Sequence, residues 1–235
     1  DQAYPSCDLH CAKDLARTIQ FNTSDNVAAF VAEPVMGEGG IVTPPPGYFE
    51  EIKKVLDDHG ILFFVDEVQS GFGRTGRLFA IQHWDVEPDI MTMAKGIADG
   101  FPLSAFIARE EVADSFRPGD HLSTFGGNPV SCAASLANIA YFEREKLPDQ
   151  AAEKGKMLMG ALRELMKTQP LVGDVREHEA LHADEGGTAR ERHGQRLAVR
   201  TRQDLHTQRQ RHSGTHLGAD ARHRGHDLGP DRALQ

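Results

Sequence analysis

Residues 61–76 read Ile-Leu-Phe-Phe-Val-Asp-Glu-Val-Gln-Ser-Gly-Phe-Gly-Arg-Thr-Gly. Ile61 to Val65 is an apolar run with the length and composition of a buried strand. Two acids follow at once, Asp66 and Glu67, and then Gly71, Gly73 and Gly76 at the spacing of a dinucleotide-binding fingerprint. In such a fingerprint the first glycine follows directly on the strand and the third opens a helix whose N-terminus meets the pyrophosphate. Here Asp66 to Ser70 intervene, and Arg77-Leu-Phe-Ala begins no long helical pattern. Asp89, near the position of a ribose-binding acid, precedes its apolar run instead of following it. The stretch therefore predicts a strand whose chemistry sits at its carboxyl end. Its glycines read as turn residues lining the approach to a different cofactor.

Working outward, Val27 to Glu33 is a second short apolar run, followed by a Gly/Pro-rich loop from Met36 to Gly47. From Tyr48 to His59, Phe49, Ile52 and Leu56 recur at helical spacing with charged residues opposite, and Gly60 supplies the stop. Ile90 to Met93 and Leu103 to Ala108 read as further strands. Asn128-Pro129 places a capping residue before a proline at the first helical position, opening a helix from Val130 to about Lys146. A second amphipathic helix spans Asp149 to Lys167. Strands alternating with helices predict an α/β domain with a largely parallel sheet.

Composition narrows the function. A formal net charge of −9 excludes a general nucleic-acid binder, whose affinity comes from clustered Lys and Arg. No apolar run approaches the ~20 residues that span a bilayer. Cys7, Cys11 and Cys132 make no even framework, which points to a reducing, cytoplasmic setting. Cys7, His10 and Cys11 could form half of a metal site, but no second pair follows at zinc-ligand spacing, and small buried thiols are the preferred reading. The chain opens at Asp1 without a signal peptide or an initiator Met, which suggests a fragment.

Asp66 at the end of a buried strand stands where open α/β sheets place ligand chemistry. With Glu67 it could equally be a solvated loop pair. Lys95 follows Ile90 to Ala94 and precedes Gly96, so it too falls at a strand end on the same edge. A lysine partly desolvated in an apolar pocket can attack an aldehyde. If that aldehyde belongs to pyridoxal 5'-phosphate (PLP), a carboxylate beside the ring nitrogen keeps the pyridinium charged. Ser123-Thr124-Phe-Gly-Gly-Asn128-Pro129 leads hydroxyls and glycines into a helix N-terminus, which suits a phosphate, though a plain capping loop would look the same.

The chain is similar to the class III (ω-amino-acid type) aminotransferases of PLP fold type I. The resemblance runs from about Ala3 to Arg176. It rests on Ala32-Glu33-Pro34-Val35-Met-Gly37, Val65 to Gly76, Pro88-Asp89-Ile90 through Lys95-Gly96, and Ser123 to Pro129. Tyr4 to Leu9 and Met91 to Gly96 resemble the alanine–glyoxylate type. The resemblance implies that Lys95 binds the cofactor covalently and then shuttles a proton. It also implies that Asp66 pairs with the pyridine nitrogen, Val68 packs on the ring, and Gln69 bonds the phenolic oxygen. Thr124 would contact the phosphate of a neighbouring subunit in a homodimer, and Glu33 would pair with a switchable arginine near the substrate. The substrates would be an amino donor and a 2-oxo acid or aldehyde. By the same resemblance residues 1–146 form part of the PLP-binding large domain and 147–176 the start of a small C-terminal domain. The N-terminal phosphate loop and the stacking aromatic of the family have no counterpart here.

After Arg176, Phe, Tyr, Trp and Ile vanish, no Lys follows Lys167, and eight of the twelve histidines crowd in beside arginines. Such a segment cannot bury enough apolar surface to offset its ordering entropy, so residues 177–235 read as a disordered tail or a frame-shifted reading. Within it His178-Glu-Ala-Leu-His182 matches H-E-x-x-H, the two-ligand motif of zinc hydrolases, without a convincing third ligand. A further alternative is a non-catalytic remnant that only dimerises with intact subunits.

Overall fold

The structure, a computed structural model, describes residues 4–23, 26–176 and 198–201. Its centre is a four-stranded sheet, β1 (Ala29–Ala32), β2 (Leu62–Asp66), β3 (Ile90–Met93) and β4 (Ala105–Ala108), in that spatial order. β1, β2 and β3 are parallel, and β4 turns back antiparallel on β3. This matches the predicted α/β fold class, with one antiparallel edge.

In β2 the pleat puts Phe63 and Val65, both fully buried, on the opposite side from half-buried Leu62, Phe64 and Asp66. Against Phe63 packs the helix α2 (Tyr48–His59), through Phe49 at a ring separation of 5.7 Å. Phe49, Ile52 and Leu56 are the stripe read from the sequence, and all three are buried. Each contributes about 1.5–3 kcal/mol by leaving water. Glu50 and Glu51 complement the positive end of the helix, and Lys53 pairs with Asp57 one turn on. Gly60 ends it in the left-handed region, its N–H donating to the Asp57 carbonyl.

A helix not read from the sequence, α1 (His10–Asn22), packs on α2 with Ala12 fully buried and Leu15 and Ile19 against the core. Cys11, in the first turn of α1, is exposed and Cys7, in the turn before it, is half-buried, so the expectation of buried cysteines fails; all three cysteines are free.

After the short α3 (Glu110–Ala113) come α4 (Pro129–Arg144) and α5 (Leu147–Thr168). α4 starts as predicted, with Pro129 in its first turn and the Asn128 side chain accepting from the Ser131 N–H at 2.9 Å. Beyond α5, β5 (Val172–Arg176) pairs antiparallel with β6 (Ala198–Thr201). The tail expected to be disordered from residue 177 thus contains at least one strand; the rest of it lies outside the described residues. No described helix is long and apolar enough to cross a membrane.

Candidate functional site

Because β1, β2 and β3 run parallel, their carboxyl ends share one edge of the sheet. Ala32 is in register with Val65, so Glu33 follows it at the row of Asp66. Asp66 is itself in register with Thr92, and Lys95 lies two residues beyond Met93, the last residue of β3. The topology therefore gathers Asp66 and Lys95 at one edge, as read from the sequence, and places Glu33 there as well.

Asp66 is half-buried. Its Oδ1 accepts from the Val68 N–H at 2.9 Å and from Thr92 Oγ1 at 3.4 Å, a turn that fixes the carboxylate against its own backbone. Its Oδ2 carries no hydrogen bond from a described residue. Val68 and Gln69, both half-buried, continue from this turn. A Cβ on Gly37 would stand 2.5 Å from Gln69 Oε1, so the bare glycine makes room for the amide. The Gly37 N–H in turn donates to Glu33 Oε2 at 3.0 Å. Glu33, Gly37 and Gln69 thus form one contiguous group beside Asp66.

Lys95 opens a three-residue 3₁₀ turn, Lys95–Ile97, with φ +41°. An L-residue avoids this left-handed region, and such strain persists only where the surroundings impose it. The side chain is exposed, not partly desolvated in an apolar pocket as the sequence reading proposed, since it stands past the last ladder pair of the sheet.

Glu67 departs furthest from expectation. The solvated loop pair does not exist: Glu67 is fully buried. Its carboxylate accepts from Ser70 Oγ at 2.6 Å and from the Ile81 N–H at 2.8 Å. Burial pushes its carboxyl above the ordinary value, outweighing these hydrogen bonds, and neighbouring Asp66 adds to the rise. The acid closes the loop between β2 and the 3₁₀ turn Ala80–His83. Only one signal could have revealed it, an acid directly following a buried strand with a hydroxyl three residues later.

The three glycines are packing and turn residues. A Cβ on Gly71 would lie 2.8 Å from the Glu67 carbonyl oxygen. Gly73 and Gly76 have φ of +84° and +80°, and a Cβ there would meet Phe142 of α4 and Ala152 of α5. Positive φ bears out the turn reading. Their immediate neighbours are helices rather than a cofactor approach. Asp89, weighed as a ribose acid, is buried and accepts from the Phe63 N–H at 2.8 Å and from Arg109 at 2.9 Å, so its role is to tie strands together.

Thr124 lies on the exposed loop before α4, where Ser123 Oγ accepts from the Gly126 N–H at 2.9 Å. It makes no hydrogen bond to Asp66, Gln69 or Lys95 among the described residues. A cavity of about 630 Å³ lined by Arg77, Phe79, Asp89 and Arg109 opens near the start of β3, away from the edge that bears Lys95. Among the described residues no group of three His, Cys, Asp or Glu could hold a metal, and His178, Glu179 and His182 lie outside those residues.

The family model described as "Aminotransferase class-III" matches residues 4–205. That span passes Arg176, where the resemblance read from the sequence stops. The chain is 51% identical over 152 residues to an acetylornithine aminotransferase of Methanopyrus kandleri, covering 65% of this chain and 38% of that protein. It is 44% identical over 172 residues to a leucine/methionine racemase of Thermococcus litoralis, covering 73% and 39%. Among solved structures it superposes with TM-score 0.69 on an (S)-enantioselective omega-transaminase from Thermomicrobium roseum, at 42% identity over 72% of this chain and 39% of that one. An ornithine aminotransferase from Toxoplasma gondii, described with partial occupancy of PLP at its active site, matches at TM-score 0.67 and 38% identity over the same shares. The chain thus spans about two fifths of the length of the relatives it matches. With the family model matching most of its length, the chain belongs to the class III aminotransferases.

Proposed function

We propose that this chain carries the lysine-bearing part of a PLP-dependent aminotransferase, moving an amino group from a donor to a 2-oxo acid or aldehyde. One observation carries the reading: Asp66 ends β2, and Lys95 lies two residues past the end of the neighbouring parallel strand β3, at the same sheet edge. The donor set fits PLP, with an amine on a strained turn, a carboxylate whose Oδ2 takes no hydrogen bond among the described residues, and the Gln69 amide beside it. Bound there, PLP would supply an aldehyde for amine exchange and a positively charged ring that draws electrons from the substrate Cα.

The chain's own residues do the rest. Lys95 Nζ would hold the cofactor, and the same amine is placed to take and return a proton at the substrate Cα. Asp66 would keep the ring nitrogen protonated, Val68 would support one ring face, and Gln69 would donate toward the phenolic oxygen. Glu33, held by the Gly37 N–H, receives the substrate side or a mobile arginine. Thr124 would reach the phosphate of a second copy, so the working unit is a homodimer; its exposure on the loop before α4 supports a role outside its own site. Residues 1–146 then belong to the cofactor domain and 147–176 begin the small one, in a cytoplasmic enzyme. The segments Tyr4 to Leu9 and Met91 to Gly96 support the alanine–glyoxylate type.

Incubating the chain with PLP, reducing with borohydride and mapping the peptides tests the reading. A pyridoxyl group on Lys95 is expected, and labelling confined to other lysines would overturn it. Removing a Cα proton is common to transamination and to the racemisation named for the Thermococcus litoralis relative. Appearance of nitrogen on an added 2-oxo acid separates the two.

A further inference from the structure

The turn that bears Lys95 is not held by its own hydrogen bonds alone. Within it the Ile97 N–H donates to the Ala94 carbonyl at 2.9 Å and the Asp99 N–H to the Lys95 carbonyl at 3.2 Å. The Ala98 N–H also donates to the Lys95 carbonyl, and three such bonds in so short a 3₁₀ segment do not impose a left-handed backbone on a lysine. The remaining constraint comes from α4. Asn138 Nδ2 donates to the Gly96 carbonyl at 2.8 Å and to the Ile97 carbonyl at 3.3 Å, and Ser135 Oγ donates to the Ile97 carbonyl at 2.9 Å. These contacts span 38 to 42 residues of sequence.

Ser131, Ser135, Asn138 and Phe142 recur at helical spacing on one face of α4, and Ser131, Ser135 and Phe142 are buried. Ser and Asn in a helix interior compete for backbone bonds and lower helix propensity, so a buried stripe of them serves something other than the helix. On the turn's other side, a Cβ on Gly96 would lie 2.9 Å from Phe72 Cβ, and the Phe72 ring meets Phe142 edge-on at 6.4 Å. The turn is wedged between a loop of β2 and a polar helix face.

We propose that Ser135 and Asn138 are positioning residues that hold the 95–97 turn in its strained form and so aim the Lys95 amine at the sheet edge. The proposal rests on the reading of Lys95 as the cofactor-bearing lysine, and two independent measurements on the full chain separate the two. The first is hydrogen exchange at the Ile97 and Asp99 amides without cofactor. The second is borohydride trapping of PLP on Lys95 relative to the exposed Lys54. Asn138→Leu is expected to speed exchange at both amides about tenfold and to lower the Lys95 to Lys54 labelling ratio about tenfold, the worth of the lost hydrogen bonds. Ser135→Ala should do the same more weakly, and Ser135→Thr, which keeps the hydroxyl, should restore both; this pair carries the test if Asn138→Leu does not fold. Unchanged exchange and labelling in the variants would overturn the proposal. So would faster exchange spread evenly over α2 and β2, which marks general packing. If Lys95 of the unsubstituted chain takes no label, the cofactor reading falls instead, and exchange at Ile97 and Asp99 alone decides the clamp.

Discussion

The buried carboxylate of Glu67 accepts the N–H of Ile81, fourteen residues away, at 2.8 Å, and so closes the loop that begins with Asp66. Its other oxygen accepts from Ser70. Replacing Glu67 by Ala leaves two buried donors without a partner and should cost about 1–3 kcal/mol for each such group. Glu67→Gln keeps an acceptor for Ile81 and removes the charge. Burial raises the folded-state pKa of Glu67 above its unfolded value, so the folded chain holds this proton more tightly. The stabilisation is fully present below the unfolded pKa and is lost as pH rises through the folded one. The stability of the unsubstituted chain minus that of Glu67→Gln, from urea unfolding across a pH series, should therefore fall as pH climbs above about 4.5. A difference that stays flat or rises contradicts a raised pKa.

Glycine substitutions should rank by what a methyl group meets. At Gly73, φ of +84° combines with the Phe142 ring 2.8 Å from the new Cβ, whereas Gly100, at φ +102°, has nothing within 4 Å. Gly100→Ala should cost only the backbone strain, about 1–2 kcal/mol. Gly73→Ala adds about 1–3 kcal/mol of overpacking. Gly160, exposed in α5 with open space around it, should gain about 1 kcal/mol as Ala from helix propensity. Thermal unfolding of the three variants checks the order, and a Gly73→Ala no worse than Gly100→Ala would contradict the packing of Phe142 on that turn.

The strands and helices with a strong apolar period were legible in the sequence, as in the stripe Phe49, Ile52, Leu56 and its Gly60 stop. So was the edge that unites Asp66 and Lys95, because a parallel sheet leaves little choice of where strand ends fall. Glu67 was not legible, since whether an acid after a strand meets water or a distant N–H depends on the return path of the chain at Ile81. The α4 face was hidden for a related reason. Its buried residues are Ser131, Ser135 and a single aromatic, Phe142, so no hydrophobic period marks it. The helix α1 escaped because Leu9 offers no capping side chain, and its first turn has no acid and its last turn no base to mark its ends.

Asp89 takes the place of a backbone acceptor between strands. Its Oδ2 receives the Phe63 N–H and its Oδ1 receives Arg109. Asp89→Asn keeps one oxygen acceptor for Phe63 and should cost about 1 kcal/mol, while Asp89→Ala leaves the buried N–H unmet and should cost about 2–3 kcal/mol. Arg109→Ala should cost less than either, because its side chain is half exposed and the ion pair is screened by solvent. Denaturant unfolding of the three variants checks the ranking; an Arg109→Ala as severe as Asp89→Ala would place the weight on the ion pair instead.

Gly37 separates stability from cofactor binding. A methyl group there would stand 2.5 Å from Gln69 Oε1, at the flexible end of a side chain, so the chain can yield without moving its backbone. Gly37→Ala should therefore change stability by under about 1 kcal/mol. If Gln69 takes the proposed place beside the phenolic oxygen of PLP, the displaced amide would no longer reach it. One lost hydrogen bond of about 0.5–1.5 kcal/mol corresponds to a roughly two- to tenfold weaker affinity. Gln69→Leu should weaken PLP binding by a similar factor, and the double variant should be no worse than either alone, because both act through one group. Fluorescence titration with PLP measures all three. Additive losses in the double variant would show that Gly37 acts through something other than Gln69, with the Glu33 carboxylate, bonded to the Gly37 N–H, the next group to vary.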